Sequence, residues 1–131
     1  GSTGKPKGVI VEQKAIANTI MWRKEEYKLS KSDKSLQLFS ISFDGFITSF
    51  FTPLVSGATV VLPEEKEAKD IIAFRNYIKN RKITSLISTP SLFAAIIEAM
   101  QPEEVKSLRS VTLAGEKVIP TLIEKCRKLN K

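Results

Sequence analysis

The chain has 131 residues, 42% of them hydrophobic and 27% charged, and this composition excludes disordered, collagen-like and low-complexity proteins. It contains no His and one Cys, which excludes a His-based catalytic triad, a Cys/His zinc site and an intrachain disulfide. The formal net charge is +7, but acidic residues are interleaved with the basic ones at 23–34, so we expect solvated faces and no nucleic-acid partner.

Membrane insertion and export are not expected either. No apolar run approaches the ~18 residues that a membrane span needs. The chain also does not open with the basic and then apolar segments of a secretory signal. We therefore expect a cytoplasmic protein without a membrane partner.

Two kinds of segment alternate along the chain. Short apolar runs have the length and β-branched character of buried strands, and they lie at residues 8–11, 36–41, 58–62, 83–88 and 110–113. Helical patterns lie at residues 12–27, 44–55, 69–81, 91–100 and 121–129. Pro90 and Pro120 mark the starts of the last two helices.

This alternation predicts one α/β domain over residues 1–131, with a mainly parallel sheet and helices on both faces. Ligands of such sheets bind outside the carboxyl ends of the strands. The residues that follow each strand are therefore the first candidates for a functional site.

The opening octet, Gly-Ser-Thr-Gly-Lys-Pro-Lys-Gly, is suited to a polyphosphate. Its glycines let backbone amides approach an anion, and its hydroxyl and lysine side chains add donors and positive charge. It is not a Walker A loop, because that loop runs into a helix, whereas Gly8 is followed by the strand-like residues 9–11. Composition alone would favour a flexible, solvated terminus, and it is the spacing of the residues that favours the phosphate loop.

Residues 2–9, Ser-Thr-Gly-Lys-Pro-Lys-Gly-Val, resemble the phosphate loop of the adenylate-forming superfamily, and Ser-Phe-Asp at 42–44 resembles its amino-acid-activating branch. Further matches follow in family order at 51–58, 88–91 and 113–116. The chain is thus similar to adenylation domains of nonribosomal peptide synthetases, of which it would form about a quarter, a flavodoxin-like subdomain with the phosphate loop at residues 1–8. Gln13 and Ala114 depart from the family's usual His and Gly.

The resemblance implies a role for each matching residue. The phosphate groups of ATP would face Ser2, Thr3, Gly4, Lys5, Lys7 and Gly8. The α-ammonium of the amino acid would pair with Asp44, for which a helix cap over Phe46 and Ile47 is the alternative. The substrate side chain would lie in a pocket of small residues, Gly45, Thr48, Ser88, Thr112 and Ala114. The adenine would lie near Gly115, Glu116 and Lys117.

The activity implied is the joining of ATP and an amino acid, with Mg²⁺, to an aminoacyl-adenylate that is passed to the phosphopantetheine thiol of a peptidyl carrier protein. The family's ribose-binding Asp and catalytic Lys are missing from the 131 residues. We therefore expect no complete catalytic site and no metal site in the chain, and no activity without the remainder of its adenylation domain. The pocket set resembles those for aromatic side chains, tyrosine in particular.

Two alternatives remain open from the sequence. The parent could be an acyl-CoA or aryl-acid ligase of the same superfamily, but Asp44 would then face an uncharged acyl chain. The second alternative, from another class of function, is a stand-alone flavodoxin-like binding or signalling module. A signalling receiver would want an acidic cluster after its first strand, and residues 9–11 are followed by Glu12 alone.

Overall fold

The computed structural model describes residue 4 and residues 8–64, 67, 70–98 and 100–129. The strands in these residues are β1 (Lys34–Leu36), β2 (Thr59–Val61), β3 (Ser85–Ser88) and β4 (Ser110–Leu113). The helices in these residues are α1 (Gln13–Tyr27), α2 (Asp44–Val55), α3 (Ile71–Arg81), α4 (Pro90–Glu98), α5 (Pro102–Val105) and α6 (Pro120–Leu129).

The four strands form one parallel sheet in the order β2-β1-β3-β4. Leu36 of β1 stands opposite Val61 of β2 and Leu86 of β3, which fixes the register of the central pair. Because all strand pairs are parallel, the carboxyl ends of the four strands meet at one edge of the sheet. The predicted α/β class with a parallel sheet is confirmed.

Helices cover both faces of the sheet. On one face, Leu86 packs in an apolar core with Ile78 of α3 and Ile96 of α4, all three fully buried. Ile87, the next residue of β3, contacts the space beneath α1 and α2 instead. Successive strand residues point to opposite faces, so α1 and α2 lie on the side of the sheet away from the core.

Local signals explain where α3 begins and ends. The Asp70 carboxylate accepts hydrogen bonds from the amides of Ile72 and Ala73, which caps the first turn. The helix ends at Lys82, whose φ of 53° is left-handed, and the amide of Ile83 donates back to the carbonyl of Ile78. The buried Ile83 then leads the chain straight into β3.

The structure corrects two predicted elements and adds one helix. Residues 8–11 form no strand; their apolar side chains are exposed, with Ile10 fully so, because no described strand pairs with them. The second strand spans Lys34–Leu36 rather than 36–41, because the Gln37 side chain accepts the amide of Phe39 and turns the backbone away. Helix α5 is not predicted, since its capping signal, Gln101 with Glu104, marks only one turn.

A polar network joins the amino ends of three strands. The carboxylate of Asp33, before β1, accepts from the hydroxyl of Thr84 at 2.8 Å and from Nε and Nη2 of Arg109 at 3.2 and 3.1 Å. Burial raises the pKa of Asp33, but the hydrogen bonds from Arg109, Ser30 and Thr84 outweigh it and hold the pKa below its usual value of 3.8. This network links segments 51 and 76 residues apart in sequence.

We expect Asp33→Asn to lower the free energy of unfolding by about 2 kcal/mol, because it weakens the charge-assisted hydrogen bonds that the buried carboxylate accepts from Thr84 and Arg109. Urea titration measures the change. The matched control is Glu98→Gln, which removes an exposed pair with Lys125 and should cost less than about 0.5 kcal/mol.

The contribution of Asp33 to stability depends on pH with a defined sign. Since folding lowers the pKa of Asp33, its ionised form stabilises the fold above the unfolded pKa, and this contribution is lost as the pH falls through the folded pKa. The difference between wild type and Asp33→Asn should thus be constant above about pH 5 and shrink below about pH 4. A difference that grew on acidification would contradict this assignment.

Candidate functional site

A cleft of about 1040 Å³ opens at the carboxyl ends of β3 and β4. Its walls are α1, the first turn of α2 and the segment that follows β4. From α1 come Ile16, Thr19 and Arg23, which lie three and four residues apart and therefore on one face of the helix. The position of the cleft is the one expected for a ligand of a parallel α/β sheet.

Most of the predicted pocket residues line this cleft. The set that the structure brings together comprises Asp44, Gly45, Thr48, Thr112, Ala114 and Gly115. The first three lie in the first turns of α2, and the last three lie at the end of β4 and just beyond it. Residues almost 70 positions apart in sequence thus share one cavity because α2 begins near the edge at which β4 ends.

Asp44 is exposed and occupies the first position of α2. Its Oδ1 accepts the amide of Gly45 at 2.8 Å, and the residue that caps the helix is Phe43. The alternative prediction of a cap over Phe46 and Ile47 is therefore wrong. The positive end of the helix dipole favours a carboxylate in this first turn, and no described basic side chain pairs with it.

Gly45 is small because a ring lies against it. A Cβ added at this position would come within 2.9 Å of two ring carbons of Phe39, which also lines the cleft. Thr48, one turn on, donates its hydroxyl to the Gly45 carbonyl at 3.3 Å. Phe39 therefore occupies part of the room that the small residues of the pocket suggested.

Ser88 does not line the cleft. Its side chain is 1% exposed, and its hydroxyl donates to the carbonyl of Thr89. Strand alternation turns Ser88 to the same side as Leu86, and the neighbours Ile87 and Thr89 line the cleft in its place. The prediction of Ser88 as a pocket residue is corrected by one position.

Glu116 and Lys117, predicted on the adenine side, do not line the cleft. Both are exposed, and the Glu116 carboxylate accepts the Ser91 amide at 3.0 Å and the Ser91 hydroxyl at 2.8 Å. Glu116 thereby binds the segment after β4 to the start of α4. Gly115, the residue before Glu116, has a φ of 86°, a left-handed conformation that glycine adopts without strain.

The phosphate-loop prediction falls largely outside the described residues. Ser2, Thr3, Lys5 and Lys7 belong to that part of the chain. Gly4 and Gly8 are described; both are exposed, and neither lines the cleft. Their role toward ATP stays a prediction.

Arg23 is a charged cleft residue that the sequence interpretation misses. The interleaved charges of residues 23–34 predict a solvated face for it, yet it is half-buried and lines the cleft. The helical spacing of Ile16, Thr19 and Arg23 is the sequence signal that could have placed Arg23 in the cleft.

Cys126 lies away from the cleft, against the apolar core. Burial raises the pKa of its thiol, which does not favour a nucleophile.

Among the described residues, no three Cys, Asp or Glu side chains come together as a metal site would require. In the same ranges, every helix is too short or too polar to cross a lipid bilayer.

Comparison with known proteins gives consistent matches. The family model described as "AMP-binding enzyme" matches residues 1–131. The chain is 48% identical over 130 residues to tyrocidine synthase 3 of Brevibacillus parabrevis, and 47% identical over 131 residues to gramicidin S synthase 2 of Brevibacillus brevis. These alignments cover 99% and 100% of the chain but only 2% and 3% of the two synthases, so the chain spans a small part of the relatives that it matches.

Solved structures of related proteins have the same fold as this chain. A crystal structure of the nonribosomal peptide synthetase FmoA3 with AMPPNP bound superimposes with a TM-score of 0.87 at 25% identity. The match covers 97% of this chain and 14% of that one. The adenylation domain AlmE of Vibrio cholerae, at 24% identity and a TM-score of 0.87, shares the fold.

We expect Glu116→Ala to lower the free energy of unfolding by about 1 kcal/mol, because it removes two hydrogen bonds at the amino end of α4. Glu116→Gln should retain part of this, since its amide oxygen still accepts. The matched control is Lys117→Ala at the next exposed position, with a change within about 0.5 kcal/mol. Equal effects of the two alanine variants would show that Glu116 does not anchor the segment.

Proposed function

The chain belongs to the AMP-binding enzyme family, as a piece of an adenylation domain of the kind found in nonribosomal peptide synthetases, and we propose that its parent joins ATP and an amino acid to an aminoacyl-adenylate. The observation that carries the proposal is the Asp44 carboxylate, which lines the cleft beside Gly45, Thr48, Thr112 and Ala114. A carboxylate at that position favours a substrate with a cationic group, because charge-assisted hydrogen bonds are stronger than neutral ones.

The proposed binding mode follows from charge. The substrate's α-ammonium pairs with the Asp44 carboxylate, whose Oδ1 is already held by the Gly45 amide. This contact fixes the α-carbon at the mouth of the pocket, so the α-carboxylate and the side chain must leave in different directions. The side chain enters the cleft toward Thr48 and Thr112, with Ile87 in place of Ser88 as the contact from β3.

The reaction that we assign is an in-line displacement at phosphorus. An oxygen of the substrate carboxylate forms a bond to the α-phosphorus of ATP, and the bond from that phosphorus to the bridging oxygen breaks, releasing pyrophosphate. Negative charge builds up on the leaving group. The loop of Ser2, Thr3, Gly4, Lys5, Lys7 and Gly8 would stabilise that charge with backbone amides, hydroxyls and ammonium groups.

On the nucleotide side we propose that Gly115 lies against the adenine, because it lines the cleft and carries no side chain. Glu116 then acts as a positioning residue, since its carboxylate is held at Ser91. Lys117 is exposed at the next position and could contribute only at the rim.

Other participants belong to the parent protein. We propose that a peptidyl carrier protein receives the aminoacyl group on its phosphopantetheine thiol, and that the rest of the adenylation domain covers the cleft. Mg²⁺ would accompany ATP, but the described residues bring together no cluster of acidic ligands, so no step is assigned to the ion. The inactivity of the isolated chain and its cytoplasmic location stay predictions.

In the parent enzyme, Asp44→Ala should reduce kcat/KM for the cognate amino acid by roughly two to four orders of magnitude, because truncating one side of a desolvated ion pair costs about 2–5 kcal/mol. The des-amino analogue of that substrate should lose far less. Amino-acid-dependent exchange of pyrophosphate into ATP measures the loss for the amino acid, and adenylate formation measures the loss for its des-amino analogue.

The matched control is Asp70→Ala, which removes the cap of α3 at a position outside the cleft. It should lower stability by about 1 kcal/mol and affect both substrates alike. Equal losses on both substrates for Asp44→Ala would favour the acyl-CoA or aryl-acid ligase alternative. A stand-alone flavodoxin-like module is no longer supported, because the family match spans residues 1–131.

In the parent, Lys7→Ala should lower kcat for adenylate formation while leaving the KM for the amino acid almost unchanged, because the ammonium is proposed to act where charge develops. The control is Lys14→Ala, an exposed lysine of α1 outside the cleft. If Lys7→Ala raised only the amino-acid KM, the assignment of the loop to the phosphates would be wrong.

A further inference from the structure

The cleft continues inward to a small void beneath α1 and α2. The void measures about 10 Å³, which is the room that one water molecule needs. Four residues line both spaces: Arg23, Thr48, Ile87 and Thr112. The void therefore adjoins the cleft at these four residues, which we call the inner end of the cleft.

Two of the residues that line this void, Arg23 and Thr52, carry buried polar atoms without a hydrogen-bond partner among the described residues. Nε and Nη2 of Arg23 are buried, and neither has an acceptor within hydrogen-bonding distance in the part of the chain that the structure describes. The hydroxyl of Thr52, a residue that is only 2% exposed, is likewise unpaired. Leaving such groups unpaired is costly, so the site favours an oxygen that satisfies them.

Arg23 is held in this position by its own helix. Its guanidinium carbon lies 4.9 Å from the ring centroid of Tyr27, one turn along α1. Tyr27 also lines the void. The stacking keeps the guanidinium beneath α1 rather than extended into solvent.

We propose that Arg23 is a specificity-determining residue, which recognises an acceptor oxygen at the far end of the substrate side chain through one water molecule in the void. This inference rests on the proposed function. It follows from the hydrogen-bonding capacity of water, which accepts two bonds and donates two. In this proposal the water accepts from Nε and Nη2 of Arg23 and donates once to the Thr52 hydroxyl, which leaves its remaining hydrogen for an acceptor in the cleft.

The substrate class is thus an α-amino acid whose side chain reaches the inner end of the cleft and ends in an oxygen. A phenol, an amide or a carboxylate supplies that oxygen. An aliphatic or plain aromatic side chain of equal length leaves the last hydrogen of the water unpaired and is disfavoured.

The test uses the whole parent adenylation domain and amino acids paired by size. Pyrophosphate exchange is measured with tyrosine against phenylalanine, and with glutamine and glutamate against methionine. The wild type should prefer the oxygen-bearing member of at least one pair by about tenfold or more in kcat/KM. Arg23→Met keeps an unbranched side chain without donors. It should lower kcat/KM for the oxygen-bearing substrate alone, which brings the ratio to within about twofold of unity.

Two further variants separate recognition from folding. Arg127→Met, at an exposed position of α6, is the matched control and should leave the ratio unchanged. Thr52→Val keeps the shape of the side chain while removing its hydroxyl. It should lower the ratio and the melting temperature if the void holds a water, whereas a higher melting temperature would show the void to be dry and overturn the water-mediated contact.

The inference is overturned if the wild type shows no preference within any pair, or if Arg23→Met leaves the preference intact. These outcomes leave the proposed function standing, because exchange still occurs. Absence of exchange with every amino acid in the wild type would instead remove the proposed function, and this inference with it.

Discussion

Successive side chains of a strand point to opposite faces of a sheet, and in β3 this alternation separates the two halves of the molecule. Leu86 is fully buried in the apolar core, whereas Ile87 lines the cleft and the void. Ser88 returns to the core side. The same short strand thus serves packing on one face and recognition on the other, and the positions of α1 and α2 follow from that division.

The two faces are also held together differently. The core face depends on apolar burial between the sheet, α3 and α4. The amino ends of the strands depend on the Asp33 carboxylate, which joins Thr84 and Arg109, while Arg109 also donates to the carbonyl of Tyr27 at the end of α1. This directional network sits at the edge of the sheet opposite the cleft, so the cleft edge carries none of its bonds.

Sequence patterns predict the elements whose boundaries are set locally. Helix α2 and strand β4 have the predicted bounds, since Asp44 and Ser110 each open a new pattern of hydrophobicity. Residues 8–11 have a strand pattern without a strand, because a strand requires a neighbour and sequence does not supply one. Arg23 is missed for the opposite reason: its charge suggests solvent, but the ring of Tyr27 holds it inside.

The partition of the sheet has an evolutionary consequence. Substitutions at Ile87, Thr112 or Ala114 alter the chemistry of the cleft without touching the packed core, so new substrate preferences can arise at little cost in stability. Gly45 is an exception, because any side chain there must first displace the ring of Phe39. Related domains should therefore diverge first at the residues of β3 and β4 that line the cleft. They should differ at Gly45 only where Phe39 is also replaced.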